Sequence, residues 1–190
     1  NSSWEGIAES GELFVAFGGI PLKNVNVNPA GASRHFVKDH LARAVENGVE
    51  FVLFSPVRDD LAEFVGARWH PLRPGTDVAV MLAIAHVLIE EHLVDCEYVN
   101  RFTTGYERFA NYVRGKTDGV PKTPDWAEAI SEIPAETIAA LARTMAAKRT
   151  FVSTSWSLQR ASHGEQAPWM ALTLAALLGQ LGLPGGGFGF

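Results

Sequence analysis

Residues 153–190 read STSWSLQRASHGEQAPWMALTLAALLGQLGLPGGGFGF, and the class of fold is clearer here than elsewhere in the sequence. A short β-rich run, residues 150–155, leads through a cluster of polar side chains into an almost wholly apolar helix. Open α/β proteins repeat this arrangement and carry their reactive groups at the carboxyl edge of the sheet. The stretch therefore predicts an α/β protein with a functional site directly after this strand.

The same pattern of buried strands and helices extends upstream. LFVAF (Leu13–Phe17) and EFVLF (Glu50–Phe54) are apolar runs that end at Gly-Gly and at Ser-Pro, and further short strands are expected within 68–72 and 185–190. The remaining patterns predict helices at 34–47, 77–92, 97–102, 106–114, 125–131, 134–148 and 164–181. Strands separated by helices imply a three-layer, Rossmann-like α/β domain, with a mainly parallel sheet flanked by helices.

Size and composition fit one globular domain over residues 1–190, with a helical insertion at 94–132. The net charge of -5 argues against nucleic acid or an anionic membrane as a partner. Because Cys96 is the only cysteine, an internal disulfide framework and a cysteine-cluster metal site are excluded, and no metal ligand is assigned. The longest apolar stretch, 167–178, is too short to span a bilayer.

The end of the sequence, GGGFGF, carries two aromatic side chains with nothing after them to cover them. We therefore expect the chain to be an internal domain of a longer protein.

The first candidate motif is FGGIPLKN, at the end of the first strand. Gly18 and Gly19 would let backbone N–H groups approach a phosphate closely, and Lys23, beside Asn24, would neutralise its charge. The alternative is that the glycine pair forms only a turn.

The second motif, SPVRDD, follows the second strand and supplies Ser55, Pro56, Arg58 and Asp59. An acid in this place accepts hydrogen bonds from ribose hydroxyl groups in mononucleotide-binding units, and Ser55 and Arg58 suit a phosphate or a sugar. The alternative is the start of a helix, with Ser55 as its cap and the acids in its first turn.

The third motif is RPGTD, which contains Gly75, Thr76 and Asp77. A carboxylate such as Asp77 can accept from both adjacent donors of guanine, N1–H and the 2-amino group, whereas adenine lacks that pair. The alternative is ordinary helix capping by Thr76, with Asp77 stabilised by the helix dipole.

The fourth motif is the polar cluster WSLQRASHGEQ. Trp156 can enclose a pocket or stack on a flat ring, and Arg160 suits a phosphate or the oxygen of an S=O or N–O group. His163 can donate protons or contact a heteroatom of a cofactor, with Gln166 beside it. The alternative is a structural helix start with no ligand.

Taken together, these motifs resemble the molybdopterin oxidoreductases, and specifically the branch that reduces S-oxides and N-oxides. The resemblance covers nearly the whole chain and is strongest at residues 156–190 and at RPGTD. In that family a glycine-containing loop contacts the cofactor, and RPGTD, following the SP-x-x-D element, closes over the guanine of one molybdopterin guanine dinucleotide. Ile20 departs from the polar or acidic residue that relatives often carry at this position.

The resemblance implies a bis(molybdopterin guanine dinucleotide) molybdenum cofactor in the parent enzyme, and a small S-oxide or N-oxide as substrate. It places Trp156 and Arg160 at the face of the site where cofactor and substrate meet. Members of this branch commonly bind molybdenum through a serine upstream of the matched region, so the isolated chain is expected to be inactive and to depend on the remaining domains of the parent.

Two other classes of protein are considered. A stand-alone NAD-binding, hydride-transferring domain would carry G-x-G-x-x-G after its first strand, and FGGIPLKN does not match it. A non-catalytic α/β module would use its polar loops only to cap the core, and nucleotide binding distinguishes it from the favoured interpretation.

Overall fold

The computed structural model describes residues 3–25 and 35–189, and its strands form one five-stranded sheet in the order β3-β2-β1-β4-β5. The strands are Leu13–Phe17 (β1), Glu50–Phe54 (β2), Arg68–His70 (β3), Thr150–Thr154 (β4) and Gly187–Gly189 (β5). Every pairing between neighbours is parallel. The predicted parallel α/β sheet is confirmed, and both short edge strands fall in the ranges where they were expected.

The α-helices of the described residues connect these strands. They are Trp4–Ser10 (α1), Leu22–Val25 (α2), Val37–Glu46 (α3), Asp77–Glu90 (α4), Cys96–Phe102 (α5), Tyr106–Val113 (α6), Pro124–Ser131 (α7), Ala135–Ala147 (α8) and Gln166–Leu177 (α9). Helix α1 was not predicted from the sequence; Ser3 caps it by accepting a hydrogen bond from the backbone N–H of Gly6. None of the helices within the described ranges has the length and apolar run of a membrane span.

Helices cover both faces of the sheet, which makes the three layers that the sequence predicted. Side chains alternate along a strand, so Leu13, Val15 and Phe17 of β1 pack on one side, in the core that contains α4, α8 and α9. Phe14 and Ala16 pack on the other side, against α1 and α3. Strand β1 is therefore buried along its whole length.

Aromatic side chains in register tie the central strands together. On the α1–α3 side, the ring of Phe14 lies 5.3 Å from Phe51 of β2 and 5.2 Å from Phe151 of β4. On the other side Phe17 stacks on Phe54 at 4.9 Å, and Phe54 on His70 at 5.2 Å. A slip of one residue would move each ring to the opposite face, so these contacts specify the register.

Helices α5, α6 and α7 lie in the segment predicted as an insertion. Their buried residues Val99, Ala110, Val113 and Ala127 belong to the same core as α4. Lys122, between α6 and α7, is almost fully buried; its Nζ donates to Asp118 Oδ2 at 2.7 Å and lies 4.4 Å from the centre of the Tyr112 ring. This cation–π contact and ion pair hold the loop between α6 and α7 against the helices.

Three local predictions were wrong in detail. Thr76 occupies the N-cap position of α4, but its hydroxyl donates to Arg73 O at 2.7 Å and therefore does not cap the helix. Helix α9 begins at Gln166, because the residues before it form successive turns in which His163 has a φ of 59°. Helix α3 begins at Val37, and the start of the range predicted for it lies outside the described residues.

We expect Phe14→Ala to reduce the free energy of unfolding by about 3–5 kcal/mol, because it leaves a cavity between three strands. Urea denaturation followed by circular dichroism measures the loss. Phe102→Ala is the control, since that ring is 62% exposed; its cost should stay within about 0.5 kcal/mol. Equal losses in the two variants would contradict the central role of Phe14.

Candidate functional site

A cavity of about 670 Å³ lies at the carboxyl ends of β1 and β4. Strand β1 pairs with β2 on one side and with β4 on the other, so the strand order reverses direction at this point. Crevices at such switch points are where open α/β sheets bind ligands. The cavity brings together some of the predicted residues, namely Gly18, Gly19, Lys23, Asn24 and Trp156.

The Gly18–Gly19 turn forms the floor of the crevice and requires glycine at both positions. The φ values are 81° and 76°, which L side chains rarely adopt. A Cβ atom at position 18 would lie 2.3 Å from Ser155 Oγ, and one at position 19 would lie 2.4 Å from the backbone oxygen of Asp60. The turn is held by hydrogen bonds from Gly18 N to Phe54 O, 2.8 Å, and from Ile20 N to Asp60 O, 2.7 Å.

Asp60 lines this crevice, and sequence reasoning did not include it among the site residues. Its Oδ2 accepts a hydrogen bond of 2.5 Å from the hydroxyl of Ser55, which is fully buried. Ser55 Oγ in turn accepts from Val57 N at 3.2 Å, so the loop after β2 is fixed. A short 3₁₀ turn, Arg58–Asp60, places Asp60 rather than Asp59 at the crevice. The sequence pattern does not specify which of the two acids takes this position.

The other predicted residues of SPVRDD lie outside the crevice. Arg58 and Asp59 line a second cavity of about 200 Å³ together with Glu63 and Trp69. Pro56 is exposed. The residues of the motif therefore lie in different places. Ser55 does not line the crevice, but its hydroxyl holds Asp60, which does.

Asp77 is the first residue of α4 and is only 5% exposed. Burial raises the pKa of its carboxyl group from the ordinary 3.8 to about 6, although a hydrogen bond from its own backbone N–H acts in the opposite direction. Gly75, with a φ of 76°, and Thr76 form the exposed and half-buried turn before it. A buried acid with a strongly perturbed pKa is a candidate for ligand binding.

Asp77 and the crevice belong to different sides of the sheet. Helix α4 belongs to the same core as Phe17 and Phe54, whereas the apolar wall of the crevice comes from residues on the α1–α3 side, including Trp4 and Phe36. Ser55 links the two regions, because its backbone oxygen accepts hydrogen bonds from Trp69 Nε1 at 2.8 Å and from Leu72 N at 3.4 Å. A ligand contacting both regions would have to extend across the edge of the sheet.

The polar cluster after β4 is only partly within the crevice. Trp156, 59% exposed, lines it, and Ser155 Oγ lies 2.6 Å from Ser157 Oγ beneath it. Arg160, His163 and Gln166 lie on the following turns, outside the cavity lining; the first two are exposed and the third is half-buried. His163 Nδ1 lies 3.0 Å from Ser162 Oγ, and Gln166 Nε2 donates to Glu165 Oε1 at 3.2 Å.

Thr154 Oγ1, at the last position of β4, is buried without a hydrogen-bond partner among the described residues. Thr154 pairs with Phe17 and therefore faces the α4 side of the sheet, away from the aromatic wall of the crevice. The crevice itself combines the glycine turn and Lys23 with aromatic side chains, which suits a polar ligand that carries a ring system. Within the described ranges, no cluster of three or more His, Cys, Asp or Glu side chains is placed to hold a metal ion.

The parallel sheet and the crevice at its switch point are typical of ligand-binding α/β proteins of the doubly wound class. The chain belongs to the molybdopterin oxidoreductase family, whose model matches residues 2–190. Membership implies a molybdenum–molybdopterin cofactor, and the crevice residues described above fit its flat ring system.

Curated relatives are similar to nearly the whole chain. Biotin sulfoxide reductase of Cereibacter sphaeroides is 43% identical over 98% of this chain and 25% of its own length. Dimethyl sulfoxide/trimethylamine N-oxide reductase of Rhodobacter capsulatus is 43% identical over 99% of this chain, and trimethylamine-N-oxide reductase of Haemophilus influenzae is 40% identical over 99%; the match covers 23% of each relative. The chain thus spans about a quarter of the length of these relatives.

A solved structure shares the fold. Acetylene hydratase from Pelobacter acetylenicus superposes with a TM-score of 0.72 over 95% of this chain and 22% of its own, at 23% sequence identity. This similarity supports the architecture alone.

We expect Gly19→Ala to destabilise the chain more than Gly48→Ala does. Both glycines have positive φ, but a Cβ at position 48 meets nothing within 4 Å, whereas one at position 19 meets the backbone of Asp60. The shared conformational cost is about 1–2 kcal/mol, and overpacking at position 19 should add about 1–3 kcal/mol. Urea denaturation measures both losses, and equal values would contradict the close packing of the turn.

We expect Asp77→Asn to stabilise the chain above pH 6. The raised pKa means that the native state binds the proton of Asp77 more tightly than the unfolded chain does. The stability that the protonated Asp77 contributes is therefore fully present below about pH 4 and is lost as pH rises through about 6. At about 1.4 kcal/mol per pKa unit, the wild-type penalty at pH 8 approaches 3 kcal/mol.

Unfolding free energies of wild type and Asp77→Asn, measured at several values between pH 4 and pH 8, give this difference directly. Asp59→Asn, at an exposed site, is the control for the loss of one carboxylate, and its effect on the free energy of unfolding should stay within about 0.5 kcal/mol. An Asp77→Asn variant that is less stable than wild type at pH 8 would contradict the prediction.

Proposed function

We propose that this chain is the central cofactor-binding domain of a longer molybdenum enzyme that reduces S-oxides or N-oxides. The observation that carries the proposal is the switch-point crevice with its Gly18–Gly19 turn. On the α4 side of the sheet, a buried acid, Asp77, suits guanine. Relatives that are 40–43% identical over nearly the whole chain are named as reductases of such substrates.

In the proposed reaction the substrate oxide, two electrons and two protons give the reduced substrate and water. The molybdenum centre supplies the oxygen-atom transfer, and this chain supplies binding, orientation and electrostatics. The side chain that binds the metal belongs to another part of the parent enzyme, and the isolated chain is inactive.

The proposed cofactor is the bis(molybdopterin guanine dinucleotide) form, of which this chain binds one dinucleotide. The backbone at Gly18 and Gly19, with Lys23 and Asn24, contacts the crevice portion of the cofactor, and Trp156 encloses it. Asp77, presented by Gly75 and Thr76, binds the guanine. The second cavity, lined by Arg58 and Asp59, takes the ribose, and Ser55 and Pro56 shape the loop between the two sites.

Arg160, His163 and Gln166 are assigned to the face that the remaining domains would complete. Their exposure supports this assignment, because a positively charged guanidinium on an open turn is accessible to a substrate oxygen or a phosphate that another domain holds in place.

The remaining domains of the parent chain are the proposed macromolecular partner. Trp169 and Phe102 are 63% and 62% exposed, and Trp169 lines a groove of about 260 Å³ between α9 and the α5–α6 region. Large exposed aromatic side chains beside an apolar groove are typical of an interface. The domain proposed for residues 1–190, with its insertion at 94–132, would pack against its neighbours through this face.

Family membership does not favour a stand-alone nucleotide-binding module or a non-catalytic α/β module. Titration of the chain with GDP, and with ADP as the control, by calorimetry tests the guanine site. We expect GDP to bind more tightly than ADP, because only guanine offers two adjacent N–H donors to Asp77. In Asp77→Asn this preference should fall by about tenfold or more, as expected for hydrogen bonds to a charged group.

Asp125→Asn, at an exposed position of α7 outside both cavities, is the matched control for the loss of one negative charge, and it should keep the preference for GDP. Equal binding of GDP and ADP to the wild-type chain would rule out the assignment of Asp77. A preference that persists in Asp77→Asn would do the same.

A further inference from the structure

Asp60 is the feature of the crevice that the proposed function does not explain. A carboxylate in a crevice that binds only phosphate would repel its ligand, yet Asp60 lines the same cavity as Gly18 and Gly19. Its position instead favours a ligand that presents N–H donors. Ser55 fixes the side chain by donating to Oδ2, and a carboxylate with two oxygens retains further acceptor capacity after that one bond.

The pterin ring of the family's cofactor has the required donors. A pterin is a 2-amino-4-oxopteridine, so its pyrimidine half carries an N3–H group next to the 2-amino group. This is the same adjacent pair of donors that guanine presents with N1–H and its 2-amino group. The complete dinucleotide therefore contains two such edges, and the chain offers two acids, Asp77 on the α4 side and Asp60 in the crevice.

The aromatic lining of the crevice also suits a pterin ring. Two tryptophans, Trp4 and Trp156, contribute to its lining, and the volume of about 670 Å³ is in the range of small-molecule sites. Trp4 is held in place by a nearly parallel stack on Phe14, with ring centres 6.0 Å apart and an interplanar angle of 5°. Because Phe14 is the ring that joins β1 to β2 and β4, this wall of the crevice is built on the core of the sheet.

We infer that Asp60 is a specificity-determining residue that accepts the paired N–H donors of the pterin, with the ring enclosed between Trp4 and Trp156. The inference rests on the proposed function and extends it. Asp77 and Asp60 thereby recognise the same chemical edge at the two ends of one cofactor, and Ser55, hydrogen-bonded to Asp60, positions the second of them.

The test uses pterin itself and lumazine, the 2,4-dioxo analogue that lacks the 2-amino group, with binding to the chain followed by ligand fluorescence at pH 7. We expect the wild-type chain to bind pterin about tenfold or more tightly than lumazine, because lumazine cannot form the paired hydrogen bonds with a carboxylate. Asp60→Asn should remove this preference. Asp125→Asn removes the same charge at an exposed position of α7, outside both cavities, and should leave the preference within about twofold of wild type.

GDP titrations of the same variants separate this inference from the proposed function. We expect Asp60→Asn to lose pterin binding and keep GDP binding, and Asp77→Asn to show the reverse. Thermal unfolding of each variant establishes that it is folded. The comparison of pterin with lumazine on the wild-type chain tests the inference even if Asp60→Asn does not fold.

Three results would overturn the inference: no measurable binding of pterin to the wild-type chain, equal binding of pterin and lumazine, or an equal effect of Asp125→Asn and Asp60→Asn. If GDP still binds through Asp77 in any of these cases, the proposed guanine site stands and only the role of Asp60 is lost.

Discussion

The close contact of the Gly18–Gly19 turn with Asp60 on one side and Ser155 on the other is the constraint on which the site depends. Any side chain at either glycine would overlap these neighbours, so the turn can exist only with bare backbone there. The contact joins the carboxyl ends of β1, β2 and β4, three adjacent strands that are otherwise connected by long helical segments. The crevice is the space that this convergence leaves open.

The sheet beneath the turn supplies the rigidity that such a contact requires. Phe14 packs on rings from both neighbouring strands, and on the opposite face Phe17 and Phe54 continue the stack to His70. These rings specify the register of the strands, and the register determines the position along the sheet at which each strand ends and its loop begins. Core packing and the geometry of the site are therefore consequences of the same set of contacts.

The two acids, Asp77 and Asp60, differ in their effect on the stability of the native state. Asp77 is buried at the start of α4, and its raised pKa records the free energy needed to keep a carboxylate there in its charged form. Asp60 is half-buried and is held by a hydrogen bond from a buried serine. Asp77 is kept at a cost in stability, and Asp60 is fixed in place by its own hydrogen-bond partner. Ligand binding explains these two features better than folding does.

Apolar runs, glycine pairs and the alternation of strand and helix were sufficient to predict the parallel sheet, its helical layers and the motifs at its carboxyl edge, because burial and backbone conformation act locally along the chain. The same patterns also indicated Gly18, Gly19 and Asp77.

The patterns did not distinguish Asp60 from Asp59, whose separation depends on a single 3₁₀ turn, nor did they show that Arg58 and Asp59 line another cavity. Trp4 gave no sign of lining the crevice, since its place there depends on α1 packing across β1. Which side chains meet in one cavity is decided by contacts between residues far apart in sequence, and those exist only once the sheet has formed.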